Sequence, residues 1–149
     1  MEMKKKLLAV LAVVFAATMA TAPVRAHHSD SVYDQDHLTT ITGTVTQFEF
    51  VNPHQLIHLD VKGADGKSEQ WVALGGAPNQ MRRIGWSSDS VKIGETLTIT
   101  GFRFRDGRPV MLHLKLVRAN GEELRPSDVE VNFLKAYLDK QKKQGGESK

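Results

Sequence analysis

Six histidines and no cysteine set the metal and nucleophile chemistry open to this 149-residue chain. Without thiols, cysteine-type structural zinc and thiol catalysis are excluded, and a metal must be held by imidazole, carboxylate or backbone nitrogen. The pair His27-His28 is the first candidate. If an export segment is removed after Ala26, His27 becomes the first residue, and its free amine and its own imidazole can chelate one ion as a histidine brace. A third imidazole would complete the set, with a deprotonated backbone amide and His28 as the competing mode. Nitrogen-rich, near-planar sets of this kind suit Cu(II) best among the divalent first-row metals.

The third ligand is sought among His37, His54, His58 and His113. The lead-in from His27 to Leu38 spans roughly 35 Å fully extended. His54 lies about 40 Å from Leu38 if the intervening strand is straight, so the tail would have to fold back along the domain. His58 is nearer and points away from the core by parity, as His113 does beside Met111. The expected set is therefore His27 and His28 with His54 or His58, holding Cu(II). Adventitious copper binding at a flexible terminus is the competing reading. No expected helix carries a His-x-x-x-His pair and no Glu-x-x-His pair exists, so a zinc site of that kind is not offered.

Two other groups of residues could carry chemistry. Asn52-Pro53-His54 could present an amide and an imidazole on a proline-fixed turn, or Asn52 could simply cap that turn. Arg103, Arg105 and Arg108 flank an Asp106-Gly107 hairpin; with Arg82, Arg83, Trp71 and Trp86 they could line a groove that stacks and neutralises a polyanion. Catalysis has little to build on. There is no nucleophile elbow, no phosphate-cradling glycine loop and no carboxylate pair at helical spacing, while Glu49, Asp60 and Glu69 are scattered over strands. The expectation is a protein that is not an enzyme.

Charge weakens the polyanion reading. Residues 1–26 read as an export signal: Lys4, Lys5 and Lys6, an apolar run from Leu7 to Ala17, and small residues Val24 and Ala26 around the expected cleavage point. The run is shorter than the roughly 20 apolar residues of a bilayer span, so neither a membrane-spanning protein nor a stable membrane anchor is expected. Taking Lys4, Lys5, Lys6 and Arg25 from the 20 bases, and Glu2 from the 17 acids, leaves 16 of each. The net charge of +3 thus belongs to the signal, and no nucleic-acid partner is expected. The expected location is the periplasm or outside the cell.

The elements that must position these groups read as strands. Residues 27–37 form a polar, irregular lead-in, and a domain over 38–125 follows. Leu38–Phe50 is rich in Thr, Ile, Val and Phe, with an apolar parity slip that a bulge near Thr46–Gln47 would reconcile. Gln55–Lys62 alternates with Ile57, Leu59 and Val61 on one face; Asp65-Gly66 turns the chain into Ser68–Leu74, with Val72 and Leu74 expected inward. Pro78–Ile84 reads as a short helix closed over by Trp86. Thr96–Arg105 changes parity at Gly101, which suggests a bend, and Val110–Arg118 should bury Val110, Leu112, Leu114 and Leu116. The order predicts a mainly β protein: a small five-stranded OB-like Greek-key barrel with a short helix between strands 3 and 4. An open sandwich is the runner-up. A C-terminal amphipathic helix over 126–143 starts at a Ser127–Glu130 capping box and should pack Val131, Leu134 and Leu138 on the barrel, with 144–149 disordered.

His27-His28-Ser29, Ile41-Thr42-Gly43-Thr44-Val45, Asn52-Pro53-His54, Gly75-Gly76-Ala77-Pro78-Asn79, Arg82-Arg83-Ile84-Gly85-Trp86 and Lys92-Ile93-Gly94-Glu95 together resemble an exported bacterial family of unknown function numbered 6152. The resemblance covers about residues 27–125 and implies an exported, periplasmic, barrel-like domain. It directs attention to Asn52, Arg82, Arg83 and Trp86, beside the histidines, as a ligand or partner surface. Gln55 departs from the apolar or aromatic residue expected after the Asn-Pro-His turn, and the helix from Ser127 extends past the family's usual end, which suggests a partner surface particular to this chain. The leading expectation is a non-enzymatic periplasmic binding domain with a copper-capable terminus. The alternative is a metal-independent interaction module that binds an envelope protein through the barrel groove or the C-terminal helix. An oligosaccharide-binding or lipocalin-like role is a weaker third.

Overall fold

The computed structural model describes residues 32–146. Strand β1 (Thr39–Phe50) is the long, coiled strand of a barrel. Val45 faces Leu59 and Gln47 faces His58 across the ladder to β2 (Gln55–Lys62), so Thr46 is an extra residue where the parity slip placed a bulge. The bulge lets Ile41 and Val45 point inward before it and Phe50 after it. Strand β3 (Ser68–Leu74) returns along β2, and helix α1 (Pro78–Arg83) buries Pro78 and Met81. Strand β4 (Thr96–Arg103) pairs with the first half of β1, and β5 (Val110–Arg118) pairs with β4. Parallel pairing of Val72, Ala73 and Leu74 with Val110, Met111 and Leu112 closes the ring in the order β1-β2-β3-β5-β4. That closure is the OB barrel and disposes of the open sandwich. A two-residue strand, β6 (Glu123–Leu124), adds to the free side of β5 after the Asn120-Gly121 turn; it is too short to read from sequence.

Two strand faces differ from expectation. In β3 it is Trp71 and Ala73 that are buried, not Val72 and Leu74, which are half-buried. Register decides this: Trp71 sits opposite Leu59 and Ala73 opposite Ile57, and residues directly opposite each other share a face. In β5 Leu114 and Leu116 are buried as expected, but Met111 and His113 are buried in place of Val110 and Leu112. Thr100 faces Lys115 but Gly101 faces His113, so Leu114 is the extra residue of a second bulge. The parity change at Gly101 is real, but its insertion lies on the partner strand, where alternation alone cannot show it. Gly101 is required by close approach, since a Cβ there would lie 2.0 Å from the Leu112 carbonyl oxygen.

Helix α2 (Asp128–Gly146) begins at the expected capping box: the Ser127 N–H donates to Glu130 Oε2 at 2.6 Å, and the Glu130 N–H donates to Ser127 Oγ at 3.5 Å. The packed face is not the expected stripe. Val131 is 44% and Leu138 46% exposed, while Glu130 is buried and Tyr137 meets Phe102 edge-on at 5.8 Å. Once Glu130 is anchored inward, a 3.6-residue repeat brings Phe133, Leu134 and Tyr137 round with it and turns Val131 and Leu138 away. The helix continues through Gly146, past the expected end at residue 143. Replacing Gly101 with Ala should cost about 3 kcal/mol or more through overpacking against backbone. Gly66, at φ 79° with open space around its Cα, is the control. Gly66→Ala should cost only about 1 kcal/mol, and urea midpoints of the two variants would show the difference.

Candidate functional site

His27 and His28 lie outside the described residues, as does the export segment. The described lead-in is tied down: Tyr33 bridges Phe104, the Arg105 N–H donates to the Val32 carbonyl at 2.9 Å, and the Asp34 N–H donates to the Arg103 carbonyl at 2.8 Å. The chain entering the barrel is therefore stapled to the β4–β5 hairpin. In the turn that follows, His37 Nδ1 bonds Asp34 Oδ2 at 2.9 Å, and this hydrogen bond holds the Asp34 carboxyl below the usual carboxylate range.

The other histidines fall into three environments. His58 lies half-buried on the outer face of β1 and β2, its Nε2 bonded to Glu49 Oε1 at 2.8 Å, and Gln47 Nε2 donates to the same oxygen at 3.1 Å. His54 is exposed on the turn formed by the cis Asn52–Pro53 peptide, and neither ring nitrogen has a partner among the described residues. Four residues of extended chain separate the two, about 13 Å, so His54 and His58 cannot share one ion. Among the described residues no three His, Asp or Glu side chains converge as metal ligands.

His113 contradicts its expected outward parity: it is fully buried, because the Leu114 bulge reverses the faces of β5. Gln55 Nε2 donates to His113 Nε2 at 2.9 Å, and Glu130 Oε1 stands 3.9 Å from the same ring nitrogen. With that amide donating, the ring's own proton sits on Nδ1, which has no acceptor. Gln55 Oε1 and Glu130 Oε1 are buried without partners as well. Burial pushes the His113 imidazole below its ordinary value, and the Glu130 carboxylate pulls the other way. Gly75 is the floor of this cluster, since a Cβ there would stand 2.0 Å from His113 Nε2 and 2.3 Å from Gln55 Nε2. Sequence reasoning missed the cluster as a unit. Its traces were Gln55 breaking an apolar expectation, the Gly75-Gly76 pair, and Glu130 seen only as a cap.

The remaining candidate residues separate. Arg82 stacks on the Phe50 ring at 5.0 Å, and Phe50 faces Gln55, so Arg82, Asn52 and His54 share one end of the barrel. Arg83 lines a different hollow, of about 220 Å³, with Gln80, Ile84 and the first turn of α2. Trp86 is only 5% exposed and donates its indole N–H to the Arg125 carbonyl at 2.8 Å, so it closes the barrel end instead of offering a surface. On the hairpin, Arg103 stacks on Trp71 at 4.9 Å and bonds the Arg108 and Gly107 carbonyls. Arg108 stacks on Phe104 and pairs with Asp106, and Arg105 bonds the Tyr33 carbonyl. Trp71 is buried with its indole N–H on Glu69 at 2.7 Å, so the two indoles and the arginines do not form the stacking groove their spacing suggested. Gln55→Met, which keeps volume but strands the buried imidazole, should cost about 2 kcal/mol. The double variant Gln55→Met/His113→Leu should cost less than the sum of the singles in urea titrations, because it removes both partners.

No curated protein matches the chain. Among solved structures, the mitochondrial single-stranded DNA-binding protein Rim1 of S. cerevisiae is similar over 56% of this chain and 93% of its own, at 9% identity and a TM-score of 0.44. Residues 13–113, which contain both the Asn-Pro-His turn and the buried histidine of β5, match a family of unknown function, DUF6152, and the chain belongs to that family.

Proposed function

We propose that this protein is an exported, non-enzymatic binding domain of the periplasm or extracellular space, in which an OB-like barrel carries a copper-capable N-terminus. His27 supplies its amine and imidazole and His54 the third nitrogen, with the His28 backbone mode as competitor. The observation that carries this reading is the state of His54. It is exposed with both ring nitrogens unengaged among the described residues, whereas His37 and His58 are tied to carboxylates and His113 is buried on Gln55. That favours His54 over His58.

A second reading keeps the histidines incidental and assigns partner binding to α2. It is favoured by Val129, Val131 and Leu138, each more than 40% exposed on that helix. The two readings separate in one experiment on protein exported and processed in cells, its N-terminus established by intact mass. In a competitive Cu(II) titration, both His54→Ala and a form retaining a residue before His27 should bind roughly a hundredfold more weakly than the processed protein, about 2.7 kcal/mol. Equal, weak binding by all three forms would dismiss copper and leave the α2 surface as the functional one.

A further inference from the structure

The first turn of α2 is joined to the barrel interior by an unusual contact: an imidazole, an amide and a carboxylate, each at most 1% exposed, in place of apolar packing. Glu130 serves two purposes there. Its Oε2 caps the helix by accepting the Ser127 N–H, and its Oε1 faces His113 Nε2 at 3.9 Å with no donor of its own. Gln55 Oε1 is a second acceptor without a donor. The cluster is thus one proton short: a second N–H on the His113 ring would meet acceptors already waiting, but only after Gln55 turned its amide and Glu130 moved out of its capping position. Gly76 lies against both Ser127 and Met81, where a Cβ would stand 3.1 Å and 3.0 Å away, so the helix start packs closely on the β3–α1 turn.

We propose that Gln55, His113 and Glu130 form a proton-responsive latch, in which neutral His113 is the docked state and protonation releases the first turn of α2 from the barrel. Release bares Phe102, which in the docked state is covered by Tyr137, and frees the Arg125 carbonyl from Trp86. The titratable group facing His113 is Glu130 on α2; β2 contributes the neutral Gln55, and the β3–α1 turn and β4 contribute Gly75 and Gly101. The sign follows from burial. The docked state disfavours the charged ring, so docking is at full strength above the ordinary imidazole value of 6.5 and weakens as pH falls below it. A single proton limits the effect to about tenfold per pH unit. The latch is independent of whether the terminus binds copper.

The test is hydrogen exchange of the full chain between pH 8 and pH 5, with protection of α2 amides corrected for intrinsic exchange, alongside the indole N–H resonance of Trp86. Protection over Val131–Tyr137 should fall severalfold to tenfold per unit below pH 6.5, while β1 and β2 stay protected. His113→Gln should flatten the dependence. Should that variant fail to fold, Glu130→Gln retains a capping side chain and removes the charge that favours the protonated ring in the docked state, so the loss should still begin below pH 6.5 but continue to lower pH than in the native chain. His37→Asn is the control, because His37 lines a hollow with Tyr137 and Lys140 of α2, and it should leave the dependence intact. Protection of α2 that does not change with pH, or a dependence that survives His113→Gln or disappears with His37→Asn, overturns the proposal.

Discussion

Gly101 and the Leu112 carbonyl approach so closely that no side chain fits between them, and β5 accommodates the contact by carrying Leu114 as an extra residue. Much of the molecule depends on that one ladder irregularity. Before it, Met111 and His113 point into the barrel; after it, Leu116 does, and Leu114 is buried as well. Without the insertion His113 would face solvent, Gly75 would have no imidazole beside it, and Glu130 would have nothing polar to address. The helix α2 would then be free to dock on its apolar stripe instead of on its cap. A bulge is usually described as a way to bend a strand; here it also selects which chemical groups the interior contains.

That selection has an energetic cost, because polar atoms buried without partners lose their hydration and recover little. The barrel tolerates it through apolar packing around the cluster, where Ile57, Leu59, Ala73, Met81 and Met111 are all fully buried. The outer contacts of α2 contribute less. Lys140 reaches Asp36 at 2.6 Å, but both side chains are about half exposed, and such pairs are worth little in water. The helix is therefore held mainly by its first three turns, where the cap, His113 and the Tyr137–Phe102 contact lie.

The histidines sort by what surrounds them. His58 and His37 are each oriented by a carboxylate, His113 is enclosed, and His54 stands on an exposed turn. Beside His54 the Arg82 guanidinium is stacked on Phe50, which places a fixed positive charge at the same barrel end. The DUF6152 match spans residues 13–113, and α2 lies beyond it. The proposed latch crosses that limit, since Gln55 and His113 lie within the matched residues and Glu130 beyond them.

Strand and helix identities were legible because they rest on local periodicity and turn chemistry: Asp65-Gly66, Pro78, the Ser127–Glu130 box and the parity slip at Thr46 each act within a few residues. The barrel order followed from those elements in sequence, since few connections of five strands and a short helix avoid open edges. What local pattern could not decide was which face of β3 and β5 is inside. That depends on register against a neighbouring strand tens of residues away, and a one-residue slip reverses every side chain beyond it. The faces of Trp71 and His113, the burial of Gln55 and the choice of Glu130 over Val131 as the anchor of α2 all depend on such long-range pairings, so only the tertiary structure could settle them.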